Sequence, residues 1–142
     1  MKAVCWLGML PLLFVACGGE QGWGSLQAEL LVPRQLAENL DRVDVYLFET
    51  EANRPRCDEL QQPEPFTGLE SRAFKKTSIN FPAVDTAVIS AIPDRGTVWR
   101  FHARGLDAAG VLLGQGCDVG LYRLEDGQEI QVVLELKAIG SP

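Results

Sequence analysis

The residues of this chain best suited to chemistry are its four cysteines and its single histidine. His102 alternates with two arginines, Arg100 and Arg104, in a segment that reads as a strand. A Ser-His-Asp arrangement would need this imidazole, but the chain contains no Gly-x-Ser-x-Gly nucleophile elbow. The serines available to it are Ser71, Ser78 and Ser90. We therefore predict no catalytic site, and we interpret Arg100, His102 and Arg104 as a solvated strand face and a candidate binding surface.

Aspartates at predicted turns raise the question of a calcium site. They are Asp94, Asp107, Asp118 and Asp126. Aspartate favours turns because its carboxylate bonds the nearby backbone, and no Asp-x-Asp-x-Asp run is present. The chain also lacks a phosphate-binding glycine loop and a Cys-x-x-Cys motif. We predict no metal and no cofactor.

The first seventeen residues, MKAVCWLGMLPLLFVAC, read as an export signal. Lys2 supplies a positive start, and residues 3–16 form an apolar run without a charge. The run is shorter than the roughly 20 residues that a membrane-spanning helix needs. A basic start followed by a short apolar run is typical of a secretory signal peptide.

The end of this signal, Phe14-Val15-Ala16-Cys17, resembles the lipobox of bacterial lipoproteins. The resemblance implies cleavage before Cys17 and a diacylglycerol on its sulfur, although Phe14 stands where Leu is usual. Ordinary cleavage after Gly18 is the alternative, since Ala16 and Gly18 satisfy the small-x-small rule. Because Gly18 is not Asp, the resemblance also implies delivery to the outer membrane. Two acyl chains suffice for stable attachment to a lipid membrane.

The cysteine count then predicts one disulfide. Cys5 leaves with the signal, and Cys17 carries the lipid or leaves under the alternative cleavage. Cys57 and Cys117 remain in an oxidising compartment, which favours a bond between them. Free thiols or metal ligands are the competing interpretation, but no Cys or His stands near either at ligand spacing.

The chain divides into three parts on this basis. Residues 1–16 are the signal peptide, residues 17–25 are the lipidated cysteine and a glycine-rich tether, and residues 26–142 are one domain. Trp23 either packs on the domain or lies at the lipid headgroups, where Trp is enriched.

The domain reads as an all-β fold. Segments of alternating apolar and polar residues predict about seven strands, over 26–32, 43–48, 72–81, 86–92, 97–106, 111–119 and 130–136. Residues 50–70 predict a long loop with one helical turn at 57–60, pinned to the body by the disulfide. Without a convincing long helix, the pattern predicts an antiparallel β-sandwich with Trp99 in its core.

Four short stretches carry a further resemblance to small bacterial lipoproteins with one Ig-like or transthyretin-like sandwich. They are Ile92-Pro93-Asp94-Arg95-Gly96, Trp99-Arg100-Phe101-His102-Ala103, Asp107-Ala108-Ala109-Gly110 and Gly114-Gln115-Gly116-Cys117. The resemblance implies the fold and the location. Most such proteins have no assigned activity, so it implies little about function.

Charge narrows the possible partners. The formal net charge is −6, from 13 basic and 19 acidic residues, which argues against nucleic acid. We expect an envelope lipoprotein that is a non-catalytic binding or structural module for an envelope protein or glycan. An envelope hydrolase and a calcium-dependent adhesion or binding module are the alternatives.

Overall fold

The alternating segments form strands in the computed structural model, which describes residues 23–49, 56–61, 69–93, 98–118, 122–123, 125 and 127–139. Over these residues there are nine strands and three one-turn helices. The strands are β1 (Trp23–Leu31), β2 (Arg42–Glu49), β3 (Lys75–Asn80), β4 (Thr86–Pro93), β5 (Val98–Leu106), β6 (Leu112–Cys117), β7 (Tyr122–Arg123), β8 (Glu129–Glu135) and β9 (Lys137–Ala138). The helices are α1 (Arg34–Ala37), α2 (Cys57–Leu60) and α3 (Leu69–Arg72).

The strands make two sheets, which confirms the predicted all-β sandwich. Sheet A has three strands in the order β4-β1-β8. Sheet B has six, in the order β3-β2-β5-β6-β9 with β7 paired to β5. The count exceeds the predicted seven because β7 and β9 have only two residues each, too few to show an alternation.

One strand pair corrects the prediction of an all-antiparallel fold. β1 and β8 are parallel, with Ser25 opposite Glu129 and Leu31 opposite Glu135. Alternation assigns a strand's faces but says nothing about its direction relative to a neighbour, so the sequence could not reveal this pairing.

The core lies between the two sheets and follows the alternation. From β2 it takes Val43, Val45 and Leu47, and from β5 it takes Trp99, which is 1% exposed, and Phe101. Tyr46 and Phe48 on the opposite face of β2 belong to a second apolar cluster with Leu60 and Leu69. β2 is therefore buried on both faces.

Element boundaries differ from the prediction at the N-terminal side of the domain. β1 begins at Trp23, so residues 23–25, which the sequence analysis gave to the tether, belong to the strand. The predicted helical turn at 57–60 is confirmed as α2, whereas α3 was not predicted.

The Cys57–Cys117 disulfide is present and joins α2 to the end of β6, across a separation of 60 residues. The glycines of β6 are closely packed against the chain that follows β8. A Cβ on Gly116 would overlap the carbonyl oxygen of Glu135, and one on Gly114 would lie 2.9 Å from that of Lys137. These glycines let the chain cross from sheet A to sheet B directly over β6.

The side of the sandwich where β3 meets β4 is closed by a lysine. β3 is an edge strand of sheet B and carries the paired lysines Lys75 and Lys76. The Lys75 ammonium donates to the carbonyl oxygens of Ser90 at 2.6 Å and Ala91 at 3.1 Å, both in β4. Ala91 has a φ of 54°, at a point where the register between β1 and β4 shifts. This bulge, together with the lysine, protects the β4 edge from further strand pairing.

Candidate functional site

The face that the sequence offered as a binding surface is covered. Arg100, His102 and Arg104 do share the outer face of β5, as predicted, but the His102 side chain is 0% exposed and Arg104 is 9% exposed. The interpretation of His102 as a solvated residue was therefore wrong.

The cover is built by two of the short helices and the disulfide. Leu60 of α2 and Leu69 of α3 pack on Tyr46 and Phe48 of β2, with the Cys117 side chain against the same cluster. The Gln115 side-chain amide on β6 donates to the Gln61 carbonyl oxygen at 2.6 Å and so fastens the end of α2. Helices of four residues have almost no periodicity, so the burial of the outer face of β5 beneath them could not be predicted from the sequence.

α3 is tied to sheet B by a network of charged side chains. The Tyr46 hydroxyl donates to Glu70 Oε1 at 3.0 Å, and Lys76 Nζ donates to the same oxygen at 2.7 Å. Lys76 also lies 3.3 Å from the carboxylate of the buried Asp44. Burial, with the bond to Glu70, raises the pKa of Tyr46 to about 12, and the bond from Lys76 lowers the pKa of Glu70.

The covered face also holds the basic side chains of His102 and Arg104. Burial, with the nearby Arg104 charge, lowers the pKa of His102 to about 3, while a backbone group of Gly116 opposes the shift. Neither ring nitrogen of His102 makes a hydrogen bond of good geometry to another described residue. Arg104 likewise leaves its Nε and Nη2 without a partner within the described part of the chain, and burial lowers its pKa. Imidazole is thus neutral here at physiological pH.

Candidate catalytic and metal-binding residues are not assembled into a site among the residues described. Ser78 donates its hydroxyl to Asp44 at 2.7 Å rather than to His102. Asp107 accepts from the backbone of Ala109 and Val111, the local turn bonding that its position predicted. In the described segments no three His, Cys, Asp or Glu side chains cluster as metal ligands. Asp118 accepts from the Tyr122 hydroxyl, and Asp94 and Asp126 lie outside the described residues.

The open surface of the molecule is the outer face of sheet A, which we call the acidic face. Its outward side chains are Gln27, Glu29, Leu31, Thr86, Val88, Glu129, Gln131, Val133 and Glu135. The three strands of this sheet carry three carboxylates and no lysine, arginine or histidine. Val88 and Val133 are 57% and 55% exposed, so the face is apolar as well as acidic.

A shallow groove runs across the acidic face. It holds about 310 Å³ and is lined by Gln27, Glu29, Thr86, Gln131, Val132 and Val133. The register places Val88 beside Gln27 on one side of β1 and Val133 beside Glu29 on the other. The groove therefore combines a carboxylate, amides and aliphatic walls, which is a lining suited to a cationic side chain with an apolar stem.

The acidic face was not predicted from the sequence, because the alternating pattern was used only to assign strands and their buried residues. Each of the three strands contributes exposed residues that are individually ordinary, and single exposed valines need no explanation. The available signal was that the segments of β1, β4 and β8 contain no lysine, arginine or histidine. Only the fold makes these three segments neighbours.

The predicted anchor lies outside the described residues. This applies to the signal peptide, to Cys17 and to the tether as far as Gly22. No helix in the described segments is long and apolar enough to cross a membrane.

Comparison with known proteins assigns no family. No protein-family model matches the chain, and no curated protein matches it. Among solved structures, the chain is similar to an alternative pilotin from the type II secretion system of Vibrio cholerae, with 12% sequence identity and a TM-score of 0.48. That match covers 81% of this chain and 97% of the pilotin.

Proposed function

We propose that this chain is a lipoprotein of the bacterial envelope, anchored in the outer membrane through lipid on Cys17. Its domain is a non-catalytic module that binds an envelope protein. The observation that carries the binding role is the acidic face, a complete sheet surface with exposed aliphatic side chains and unbalanced carboxylates. Apolar surface of this kind, bordered by polar groups, marks interaction sites.

The disulfide supports the envelope location. Cys57 and Cys117 are bonded, and structural disulfides persist in oxidising compartments such as the periplasm. The lipobox-like end of the leader supports the anchor, because it places a cysteine where lipoproteins carry their acyl chains.

Intact-mass measurement of the protein from bacterial membranes tests the anchor. We expect a species that begins at Cys17 and carries acyl chains, and we expect Cys17→Ala to leave the membrane fraction. A mature protein that lacks acyl chains would overturn the lipoprotein assignment.

Site-specific photocrosslinking in intact cells tests the binding role. A photoreactive residue at position 133 or 88 should give a protein adduct, whereas one at the exposed Glu38, at the end of α1 and outside sheet A, should not. Equal labelling from all three positions, or none from any, would contradict binding through the acidic face.

A further inference from the structure

The edge of sheet A formed by β8 offers backbone groups to a further strand. Leu136 donates its amide to the Leu31 carbonyl oxygen at 2.9 Å, and Ser25 donates to that of Gln128 at 3.0 Å. In a parallel ladder, the even-numbered residues of β8 therefore point their N–H and C=O groups toward β1. Gln131 and Val133 point theirs away from β1, where no described strand of sheet A follows.

The two edges of sheet A differ in their protection. On β4, the Lys75 ammonium binds the carbonyl oxygens of Ser90 and Ala91, and a bulge interrupts the strand at the same point. β8 carries no lysine, no proline and no register shift along its pairing with β1. At its C-terminal end the Glu135 carbonyl oxygen lies against Gly116 of β6, so the edge groups offered to a further strand are those of Gln131 and Val133. An edge without these devices is a template for strand addition.

The negative charge around β8 determines which kind of strand can pair with this edge. Outward side chains of β8 are Glu129, Gln131, Val133 and Glu135, and Glu29 lies on the next strand. None of the three glutamates has an ion-pair partner among the described residues. A second copy of the chain in a centred antiparallel pairing would set Glu129 against Glu135, and like charges opposite one another destabilise a sheet.

We propose that β8 binds an extended, basic segment of a partner protein, which adds to sheet A as a fourth strand. Its outward residues are lysine or arginine beside the acidic face, and the alternate residues are apolar and face the interior of the sandwich. This rests on the proposed function, since it names the kind of partner that the acidic face takes.

Hydrogen exchange on the full lipoprotein in phosphatidylcholine nanodiscs tests the proposal. The probe is a blocked nine-residue peptide in which lysine and valine alternate, and the zwitterionic lipid gives this cationic peptide no anionic surface to bind. We expect the peptide to slow exchange at least tenfold at Gln131 and Val133 and to leave β2 unchanged. A peptide with glutamate in place of lysine should not protect these amides.

Three variants separate backbone pairing from charge. Val133→Pro removes an amide that points away from β1, so the fold should persist while peptide binding is lost. Val133→Thr keeps that amide and should bind. Neutralising Glu29, Glu129 and Glu135 to glutamine should weaken binding about tenfold and reduce its salt dependence.

The matched charge control neutralises three exposed carboxylates outside sheet A. Asp58→Asn with Glu38→Gln and Glu59→Gln changes the net charge equally and should leave peptide affinity unchanged.

Equal loss in both triple variants, retained binding in Val133→Pro, or protection elsewhere in the chain would overturn the proposal. So would protection of β8 that grows with protein concentration and needs no peptide, because it would identify a second copy as the occupant. These outcomes are independent of acylation at Cys17, which the intact mass measures separately.

Discussion

His102 is a titratable group enclosed by its own domain. Its ring lies 6.4 Å from that of Tyr46, opposite Cys117 in the sheet register and beside the Arg104 charge. Protonation would add a second positive charge beside the buried Arg104 guanidinium. The imidazole is therefore neutral in the folded protein and protonates freely only after unfolding.

Stability should consequently fall as the pH drops below 6.5. The pKa of His102 is about 3 in the folded state against 6.5 in the unfolded chain, so the unfolded state binds more protons below pH 6.5. The contribution of His102 is complete above pH 6.5 and is lost as the pH falls toward 3. From pH 7.5 to pH 5 we expect the free energy of unfolding to drop by about 2 kcal/mol, measured by urea denaturation. His102→Gln should remove this dependence, and an equal drop in that variant would exclude His102 as its source.

Gly116 sets a steric limit where the chain crosses β6. Gly116→Ala drives a methyl group into the backbone carbonyl of Glu135, and we expect a loss of about 1–3 kcal/mol by urea denaturation. Gly105→Ala is the matched variant, because its new methyl meets only the side-chain ends of Leu40 and Leu136. A larger loss at Gly105 than at Gly116 would show that the crossing is not the tighter contact.

At the scale of elements, the disulfide holds α2 on the outer face of sheet B, away from the core between the two sheets. α2 has four residues and no side-chain cap, and a helix of one turn is not stable alone. It stays on sheet B because Cys57 is bonded to Cys117 and because Leu60 is fully buried.

Replacing both cysteines by serine should release this cover. In the chain-entropy model, loss of a bond that spans 60 residues costs about 4 kcal/mol of unfolding free energy. We also expect faster hydrogen exchange in α2 and at His102, with sheet A unchanged. If exchange rose equally in both sheets, the disulfide would support the whole domain and not the cover alone.

The strands were predictable to the extent that they alternate. β2 and β5 were placed within a residue or so, because each has apolar residues on a buried face and a turn at one end. The parallel pairing of β1 with β8 and the burial of His102 were not predictable, since both depend on which distant segments become neighbours. The candidate site was misplaced for the same reason: the charged face of β5 is covered, and the open face belongs to strands that looked unremarkable.

At the scale of the molecule, Trp23 marks the end of the domain nearest the anchor. It is the first residue of β1 and is 53% exposed, so it is not a core residue. It lies six positions after Cys17, with five residues between them, a reach of at most roughly 20 Å. Under the proposed lipidation of Cys17, we expect the Trp23 indole to lie at the headgroups of the membrane.

Fluorescence with brominated lipids tests this orientation. Beyond the predicted signal peptide the chain has two tryptophans, and Trp99 is buried. Brominated lipid should quench the emission of the anchored protein, and Trp23→Phe, which leaves Trp99 alone, should not be quenched. Emission that the bromines leave unchanged would place Trp23 away from the lipid.

The parallel pairing of β1 and β8 has a mechanical consequence. With the proposed lipid on Cys17 and the proposed partner strand on β8, tension from the membrane would enter the domain at the start of β1 and leave along the neighbouring strand. The load then runs parallel to both strands and is shared across the register from Ser25–Glu129 to Leu31–Glu135. Hydrogen bonds loaded together in shear yield at higher force than bonds that are peeled apart one after another. A pull along the strands would thus meet more resistance than a pull across them.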